Sequence, residues 1–183
     1  GDERLDLVLC GEWTPIRIFL NKESGYEEIT QSAGLGDSQG WWNKIEAADF
    51  DKDGDMDLVI GNMGWNSQLK ASPSQPATIY AKDLDDNGAI DAILGYYIQG
   101  KLYPIANRDE LIAQLPALKK RYLRYETYAK ATLFEVFPEG ELTDAIKLEA
   151  KTFSSVYLEN KGNGTFAMRD LPAEAQVAPL KGF

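Results

Sequence analysis

The sequence predicts an all-β fold, and three observations favour it. Short apolar runs with β-branched residues recur and end at a glycine, as in DLVIG at 57–61 and DAILG at 91–95. Glycine-rich turns such as NKGNG at 160–164 are typical of hairpins. The strands do not alternate with helices in the way that α/β proteins require. From these observations alone, a β-propeller and a β-sandwich both stay open.

The predicted strands belong to repeats. LDLVLCG at 5–11 matches MDLVIG at 56–61, and each is a strand followed by a glycine. IRIFLNKESGY at 16–26 matches VYLENKGNGTF at 156–166, and each predicts a hairpin. The chain is therefore expected to contain about three copies of one β unit.

Residues 101–147 interrupt the repeats and are predicted to form a helical insertion. Apolar residues recur there at helical spacing, and Asn107 with Glu110 predicts a capped helix start. Pro116 should end or kink the first helix, and a second helix should end at 137–140. The insertion contains none of the metal ligands predicted below, so we expect it to be dispensable for metal binding.

The first part of the insertion is basic. Residues 101–130 contain seven Lys or Arg and three Asp or Glu, in a chain whose net charge is −10. A basic surface suits an anionic partner or another part of a parent protein. The alternative is a solvated helical face.

Composition excludes several classes of function. The net charge of −10 argues against nucleic-acid binding, and no apolar run is long enough to span a membrane. The absence of histidine removes serine and cysteine dyads and His-based zinc sites, and Cys10, the one cysteine, has no partner for an intrachain disulfide. No nucleophile elbow, phosphate loop or dinucleotide motif is present.

Two segments place aspartates at alternating positions and match each other position by position. The first acidic loop is DFDKDGDMD at 49–57, and the second is DLDDNGAID at 83–91. Calcium takes about 6–8 oxygen ligands, and a glycine at the sixth position of such a loop allows the sharp turn. The twelfth residues are Ile60 and Leu94 instead of a glutamate, so neither loop is an EF-hand. A solvated acidic turn without metal is the alternative.

The acidic loops resemble those of FG-GAP or VCBS-type repeats in integrin α-subunit-like β-propellers. The resemblance favours the propeller and implies two Ca²⁺ sites. The implied ligands are Asp49, Asp51, Asp53, the Asp55 carbonyl and Asp57 in the first loop, and Asp83, Asp85, Asn87, the Ala89 carbonyl and Asp91 in the second. Asp6 occupies the ninth position of a degenerate third copy to which no metal is assigned.

The same resemblance suggests the architecture. Residues 1–183 are expected to be one propeller fragment of about three blades that contains the 101–147 insertion, and closed propellers have about 4–8 blades. The spacing from one acidic loop to the next is short for a blade of about 40–45 residues, so 62–82 is expected to form a reduced blade. The segment YPIANRDELIAQLPALKKRY at 103–122 also resembles bacterial surface VCBS-repeat proteins of the ASPIC/UnbV type.

These expectations define a calcium-binding extracytoplasmic module, on a cell surface, in the periplasm or outside the cell. Its role would be binding or scaffolding of a protein or polysaccharide, as part of a longer chain. The alternative is part of a propeller-based carbohydrate-active lyase or hydrolase. Four tryptophans lie beside or near glycines in segments typical of loops: Trp13, Trp41, Trp42 and Trp65. They would stack on sugars, or pack between blades or under the insertion.

Overall fold

The computed structural model describes residues 4–182, and at residue 139 the backbone alone. Strands hold 36% of the residues and helices 15%, which confirms the mostly β class. Within the described residues no sheet closes into a barrel, and the antiparallel sheets are consistent with FG-GAP repeats and a partial propeller. The strands are β1 (Leu7–Leu9), β2 (Glu12–Thr14), β3 (Arg17–Lys22), β4 (Gly25–Glu28), β5 (Gly40–Trp41), β6 (Lys44–Ala48), β7 (Asp57–Gly61), β8 (Ala77–Lys82), β9 (Asp91–Ile98), β10 (Lys101–Pro104), β11 (Ile146–Ala150), β12 (Val156–Asn160) and β13 (Phe166–Asp170).

The described chain forms two compact units. Residues up to Lys70 and residues from Ala150 onward form the first unit, and Ala71–Glu149 form the second. Each unit has its own apolar core, built around Ile60 and Leu158 in the first and around Ile93 and Leu133 in the second. Each unit also contains one acidic loop.

The first acidic loop leads into a four-stranded sheet of order β13-β12-β7-β6. Strand β7 pairs with β6, its neighbour in the chain, and also with β12, where Val156 lies opposite Ile60. Strands β12 and β13 form the hairpin predicted for 156–166. The sheet that follows the first loop is therefore completed by residues from the far end of the chain.

This pairing corrects the prediction of a reduced blade at 62–82. Those residues contain β8, which pairs with β9 in the other unit's sheet, with Thr78 opposite Gly95. The two acidic loops lie close together in the chain because the strands that complete the first loop's sheet are not between them.

A three-stranded sheet of order β1-β3-β4 repeats the same arrangement near the start of the chain. Strand β1 pairs with β3 as β7 pairs with β12, and β3–β4 is the predicted hairpin, with Lys22 opposite Gly25. The matched motifs at 5–11 and 16–26 thus form one sheet.

A fully buried asparagine fixes the end of β7. The main-chain N–H of Asn62 donates to Ser155 Oγ, and its side-chain amide donates to the carbonyls of Thr152 and Ser154. Its side-chain oxygen accepts from the N–H of Trp41 at 3.1 Å. Because a buried polar group is costly unless paired, this network sets how residues 152–155 pack beside β7.

The second unit contains a sheet of order β10-β9-β8-β11 and a set of short helices. The helices are α1 (Arg108–Gln114), α2 (Leu118–Arg121), α3 (Tyr125–Ala129), α4 (Leu133–Val136) and α5 (Glu139–Leu142). Their buried residues, among them Leu111 and Leu133, pack with Ile93 of β9. None of the helices within residues 4–182 has the length and apolarity needed to cross a membrane.

The helical predictions are confirmed at the first helix and confirmed only in part at the second. Asn107 and Glu110 form a reciprocal capping box at α1, and Pro116 lies between α1 and α2. The second predicted helix is divided into α3 and α4, because Thr132 begins a new helix with its own capping box to Glu135. The predicted end at 137–140 is confirmed, because Phe137 is the C-cap of α4, and a further short helix, α5, begins at Glu139.

Candidate metal centres

The two acidic loops have the same backbone conformation. The sixth residues, Gly54 and Gly88, have φ of 96° and 86°, as the predicted turn requires. The fourth residues, Lys52 and Asp86, are also left-handed, with φ of 66° and 56°. Aspartate adopts this region more readily than lysine, so the sequence carried a signal for the second loop only.

Four hydrogen bonds in the first loop recur at the equivalent positions of the second. Asp49 accepts from the N–H groups of Asp53 and Gly54, and Asp83 accepts from those of Asn87 and Gly88. The fifth residue accepts from the seventh in both loops, at 2.9 and 2.7 Å. The ninth accepts from the second, at 3.2 and 3.0 Å. The side chains at positions one, five and nine thus shape both turns.

The structure brings three carboxylates together in each loop. Oxygen atoms of Asp49, Asp51 and Asp57 lie within 4.8 Å of one another, and so do those of Asp83, Asp85 and Asp91. Among the described residues, Asp53 is not a member of the first group, and its Oδ1 accepts the hydrogen bond from the Asp55 N–H.

The remaining predicted ligands occupy equivalent positions, the fifth and the seventh, in the two loops. Asn87 is the counterpart of Asp53 and accepts from the Ala89 N–H. Asp55 and Ala89 occupy the seventh position, where the prediction uses the main-chain carbonyl. The Asp55 side chain lies against the turn at Gly162, since its Oδ2 would be 2.7 Å from a Cβ built there.

The ninth aspartate of the first loop is fully buried and held by its own sheet. Asp57 Oδ1 accepts from the Asn160 N–H at 2.8 Å, and Oδ2 accepts from the Tyr157 hydroxyl at 2.7 Å and from the Phe50 N–H. Burial alone would raise the pKa of Asp57, but these donors hold it below its ordinary value. Its donation to Asp57 raises the pKa of Tyr157.

The ninth aspartate of the second loop is held differently. Asp91 is 5% exposed, and its Oδ1 accepts from Gln114 Nε2 at 2.9 Å. Gln114 is the last residue of α1, so this donor comes from the insertion. No pattern in the sequence identified Gln114, because its contact with Asp91 depends on how α1 packs on the sheet.

The degenerate third copy keeps the hydrogen bond to its ninth-position aspartate, Asp6, but lacks the acidic loop. Asp6 Oδ1 accepts from the Asn21 N–H at 2.9 Å, while the Asn21 side chain donates to the Leu5 carbonyl. Asn160 makes the same two contacts, to Asp57 and to the Met56 carbonyl. The repeated Asn-Lys pair at 21–22 and 160–161 was the sequence signal for this link.

Both loops concentrate negative charge. Residues 49–57 hold five aspartates and one lysine, and residues 83–91 hold four aspartates, so each carries a formal charge of −4. Desolvation raises the pKa of Asp51, and the charges of Asp53, Asp57 and Glu159 raise it further, against one hydrogen bond that lowers it. Clustered carboxylate oxygens of this kind suit a hard divalent cation.

Two of the four tryptophans lie outside the strands, as predicted, and two lie in strands. Trp13 and Trp41 lie in the paired strands β2 and β5, with ring centroids 5.0 Å apart. Trp42 is 2% exposed and donates to the Ser38 carbonyl. Trp65 lies outside the strands and is 46% exposed. Trp42 therefore packs inside the protein, which is the alternative to sugar stacking.

The second unit contains an open groove with a cavity volume of about 390 Å³. Tyr96 and Tyr103 lie opposite each other on the β9–β10 hairpin and line it together with Lys101 and Tyr128. The sequence did not single out these tyrosines, since no motif separates them from core aromatics.

Some of the basic side chains of the insertion form hydrogen bonds that hold the insertion together. Arg108 donates to the main-chain carbonyls of Tyr122 and Leu123, and Arg121 donates to the carbonyl of Glu135. Such contacts join helices that are too short to be stable alone.

Comparisons with known families agree with the repeats. Residues 1–60 match the family model of the FG-GAP-like repeat, and residues 41–90 match that of the FG-GAP repeat. The FG-GAP match covers the whole first acidic loop and all of the second acidic loop except its last residue, Asp91. No curated protein and no solved structure matches the chain significantly. The family matches support an FG-GAP-like family, the class to which the sheets and acidic loops also point.

Proposed function

We propose that each acidic loop binds one Ca²⁺ and that the chain is an extracytoplasmic FG-GAP/VCBS-type binding or scaffolding module. The observation that carries the proposal is the match between the loops. Four hydrogen bonds and a group of three carboxylates recur at equivalent positions of both loops. Because both loops present the same set of oxygen atoms, a cation that binds one loop should also bind the other.

The chemistry of the loops favours calcium over magnesium. Each loop offers carboxylates at positions one, three and nine, a further side-chain oxygen at position five and a main-chain carbonyl at position seven. Calcium accepts such a set of about 6–8 oxygens in a flexible geometry, whereas magnesium keeps several waters and a strict octahedron. Extracellular calcium modules work at about 10⁻⁴–10⁻³ M, which suits a location outside the cytoplasm.

The proposal includes the whole chain. Residues 1–183 would be part of an integrin-α-like propeller in a longer surface protein of the ASPIC/UnbV type, with 101–147 as its insertion. The tyrosine-lined groove would hold a carbohydrate or protein segment, because aromatic faces stack on sugar rings and apolar side chains. A lyase or hydrolase would be recognised by turnover of the bound polysaccharide.

Calorimetric titration tests the metal sites. We expect two Ca²⁺ per chain in the native protein, and one in Asp51→Ala and in Asp85→Ala. Asp144→Ala removes an exposed aspartate outside both loops and should leave two. Absence of binding at millimolar calcium by the native chain would reject the proposal.

Calcium should also raise the melting temperature, because a ligand that binds only the native state stabilises it by about 2.7 kcal/mol at 100 times its Kd. EDTA should reverse the change. An unchanged melting curve in the presence of measured binding would show that the ions do not support the fold.

A further inference from the structure

The second acidic loop and the residue before it are linked to the helical insertion by two hydrogen bonds and by a shared apolar cluster. Lys82, which precedes the loop, donates through Nζ to the carbonyl of Glu141 in α5 at 3.0 Å. Leu84, the second residue of the loop, packs against the apolar cluster to which the helices contribute. Asp91, the last residue, accepts the hydrogen bond from Gln114.

The first loop has no such dependence among the described residues. Phe50, the counterpart of Leu84, packs edge-on against Tyr157, with ring centroids 6.2 Å apart. The donors to Asp57 are Phe50 of the loop itself and Tyr157 and Asn160 of the adjacent strand β12. This loop is held by its own sheet.

The difference follows from where the neighbouring strand ends. In the first unit, β12 extends to Asn160, and its main-chain N–H reaches Asp57. In the second unit, β10 ends at Pro104, opposite Gly95, and the chain enters α1 before it reaches the level of Asp91. A main-chain donor is therefore replaced by the side chain of Gln114.

The position of Gln114 is itself set by the core. Helix α1 begins at the capping box of Asn107 and Glu110, and Leu111 and Leu115 are 1% and 4% exposed. On β9, Asp91 and Ile93 point to the same face, because side chains alternate along a strand, and Ile93 belongs to the cluster that contains both leucines. Any change in how α1 packs would move the donor relative to Asp91.

We infer that Gln114 is a positioning residue for the second metal site and that the insertion regulates its calcium affinity. The inference rests on the proposed calcium sites. Gln114 holds Asp91 in the orientation in which its oxygens join those of Asp83 and Asp85. Coupling between two sites is reciprocal, so calcium at the second loop also stabilises α1, and a partner that moves the helices changes the affinity of this loop alone.

The test measures the two loops separately. In an Asp51→Ala background that disables the first loop, calcium is titrated into Gln114→Ala and Gln114→Glu. Gln68→Ala is the matched control, since Gln68 is an exposed glutamine in the first unit. We expect Gln114→Ala to weaken the second site about tenfold, as loss of a partner behind a metal ligand does. Gln114→Glu should weaken it further, because a carboxylate faces Asp91.

The reverse combination tests whether the effect of Gln114→Ala is specific to the second site. In an Asp85→Ala background, Gln114→Ala should change the affinity of the first site less than about twofold. Equal loss at both loops would overturn the inference, because it would indicate a general loss of structure. An unchanged second site would overturn it too and leave the proposed function standing. If the native chain binds no calcium, the proposed function fails and this inference fails with it.

Hydrogen exchange tests the reciprocal effect of calcium on α1. The amides of Leu111 and Leu115 donate to the carbonyls of Asn107 and Leu111 and report the opening of α1. Calcium should slow their exchange in the native protein and in Asp51→Ala, and should not slow it in Gln114→Ala. Exchange of both amides that is unaffected by calcium in the native protein would overturn the coupling.

Discussion

The Tyr157 hydroxyl offers a single-atom test of how the first loop is held. Tyr157→Phe removes one donor to the buried carboxylate of Asp57 and keeps the ring that packs against Phe50. A hydrogen bond to a charged group contributes about 1.5–3 kcal/mol. Asp57 keeps the N–H donors of Phe50 and Asn160, so we expect the lower end, about 1.5 kcal/mol.

The assay is thermal unfolding in EDTA, followed by calcium titration. For a chain of this size the loss corresponds to a melting temperature lower by about 3–6 °C. Tyr26→Phe, at a tyrosine that is 58% exposed, is the control and should leave the temperature unchanged. The first site should bind calcium more weakly and the second should be unaffected. A melting temperature within about 1 °C of the native value would refute the reasoning, since a buried carboxylate cannot lose a donor without cost.

Three further predictions test the ligand set, the core and one ion pair. Asp53→Ala should sharply weaken calcium binding at the first loop, whereas Asp55→Ala keeps the main-chain carbonyl and should have a small effect that salt screens. Titrations at two salt concentrations measure both, and equal losses of affinity would indicate a diffuse acidic patch. Asn62→Ala should lower the free energy of unfolding in urea by about 3 kcal/mol, because the N–H of Trp41 and the carbonyls of Thr152 and Ser154 lose their side-chain partner together. A change close to zero would contradict the network around Asn62. Hydrogen bonds from Arg17, and next from Thr30, lower the pKa of Glu28 from 4.5 to about 2. The stability that Glu28 contributes is therefore present above the higher value and is lost as pH falls toward the lower one. Glu28→Gln should therefore flatten the pH dependence of stability between those two values, and an unaltered pH profile would contradict the pairing.

The structure changes one expectation about the insertion. Residues 106–140 contain none of the predicted ligands, and on sequence alone their removal should leave both calcium sites. The contact from Gln114 to Asp91, together with core residues such as Leu111 and Leu133, makes the second site dependent on them. We now expect their replacement by a short flexible linker to weaken the second site and leave the first intact.

The features that the sequence predicted are those in which interacting groups are close in the chain. The turn at Gly54 and Gly88, the alternation of Asp49 and Asp51, and the capping box of Asn107 each involve residues within about a helical turn or a tight loop. The strands after the loops were predictable for the same reason, because an apolar run bounded by a glycine specifies its own conformation.

The partners of those elements were not predictable. The motif at 156–166 resembles the one at 16–26, and this likeness identifies a hairpin without identifying its neighbour. Strand β12 pairs with β7 although Asn160 and Asp57 are 103 residues apart, because the burial of Ile60 and Leu158 in one core selects that register.

The sequence by itself therefore determined the two acidic loops, the strands that follow them and the helical character of the insertion, since each depends on local conformational preferences. Tertiary structure alone decided which groups donate hydrogen bonds to the ninth aspartate of each loop. Asp57 is anchored by a strand from the far end of the chain and Asp91 by a helix of the insertion. Hydrogen-bond donors of this kind are brought into place by the packing of apolar cores, and no spacing between residues in the sequence records that packing.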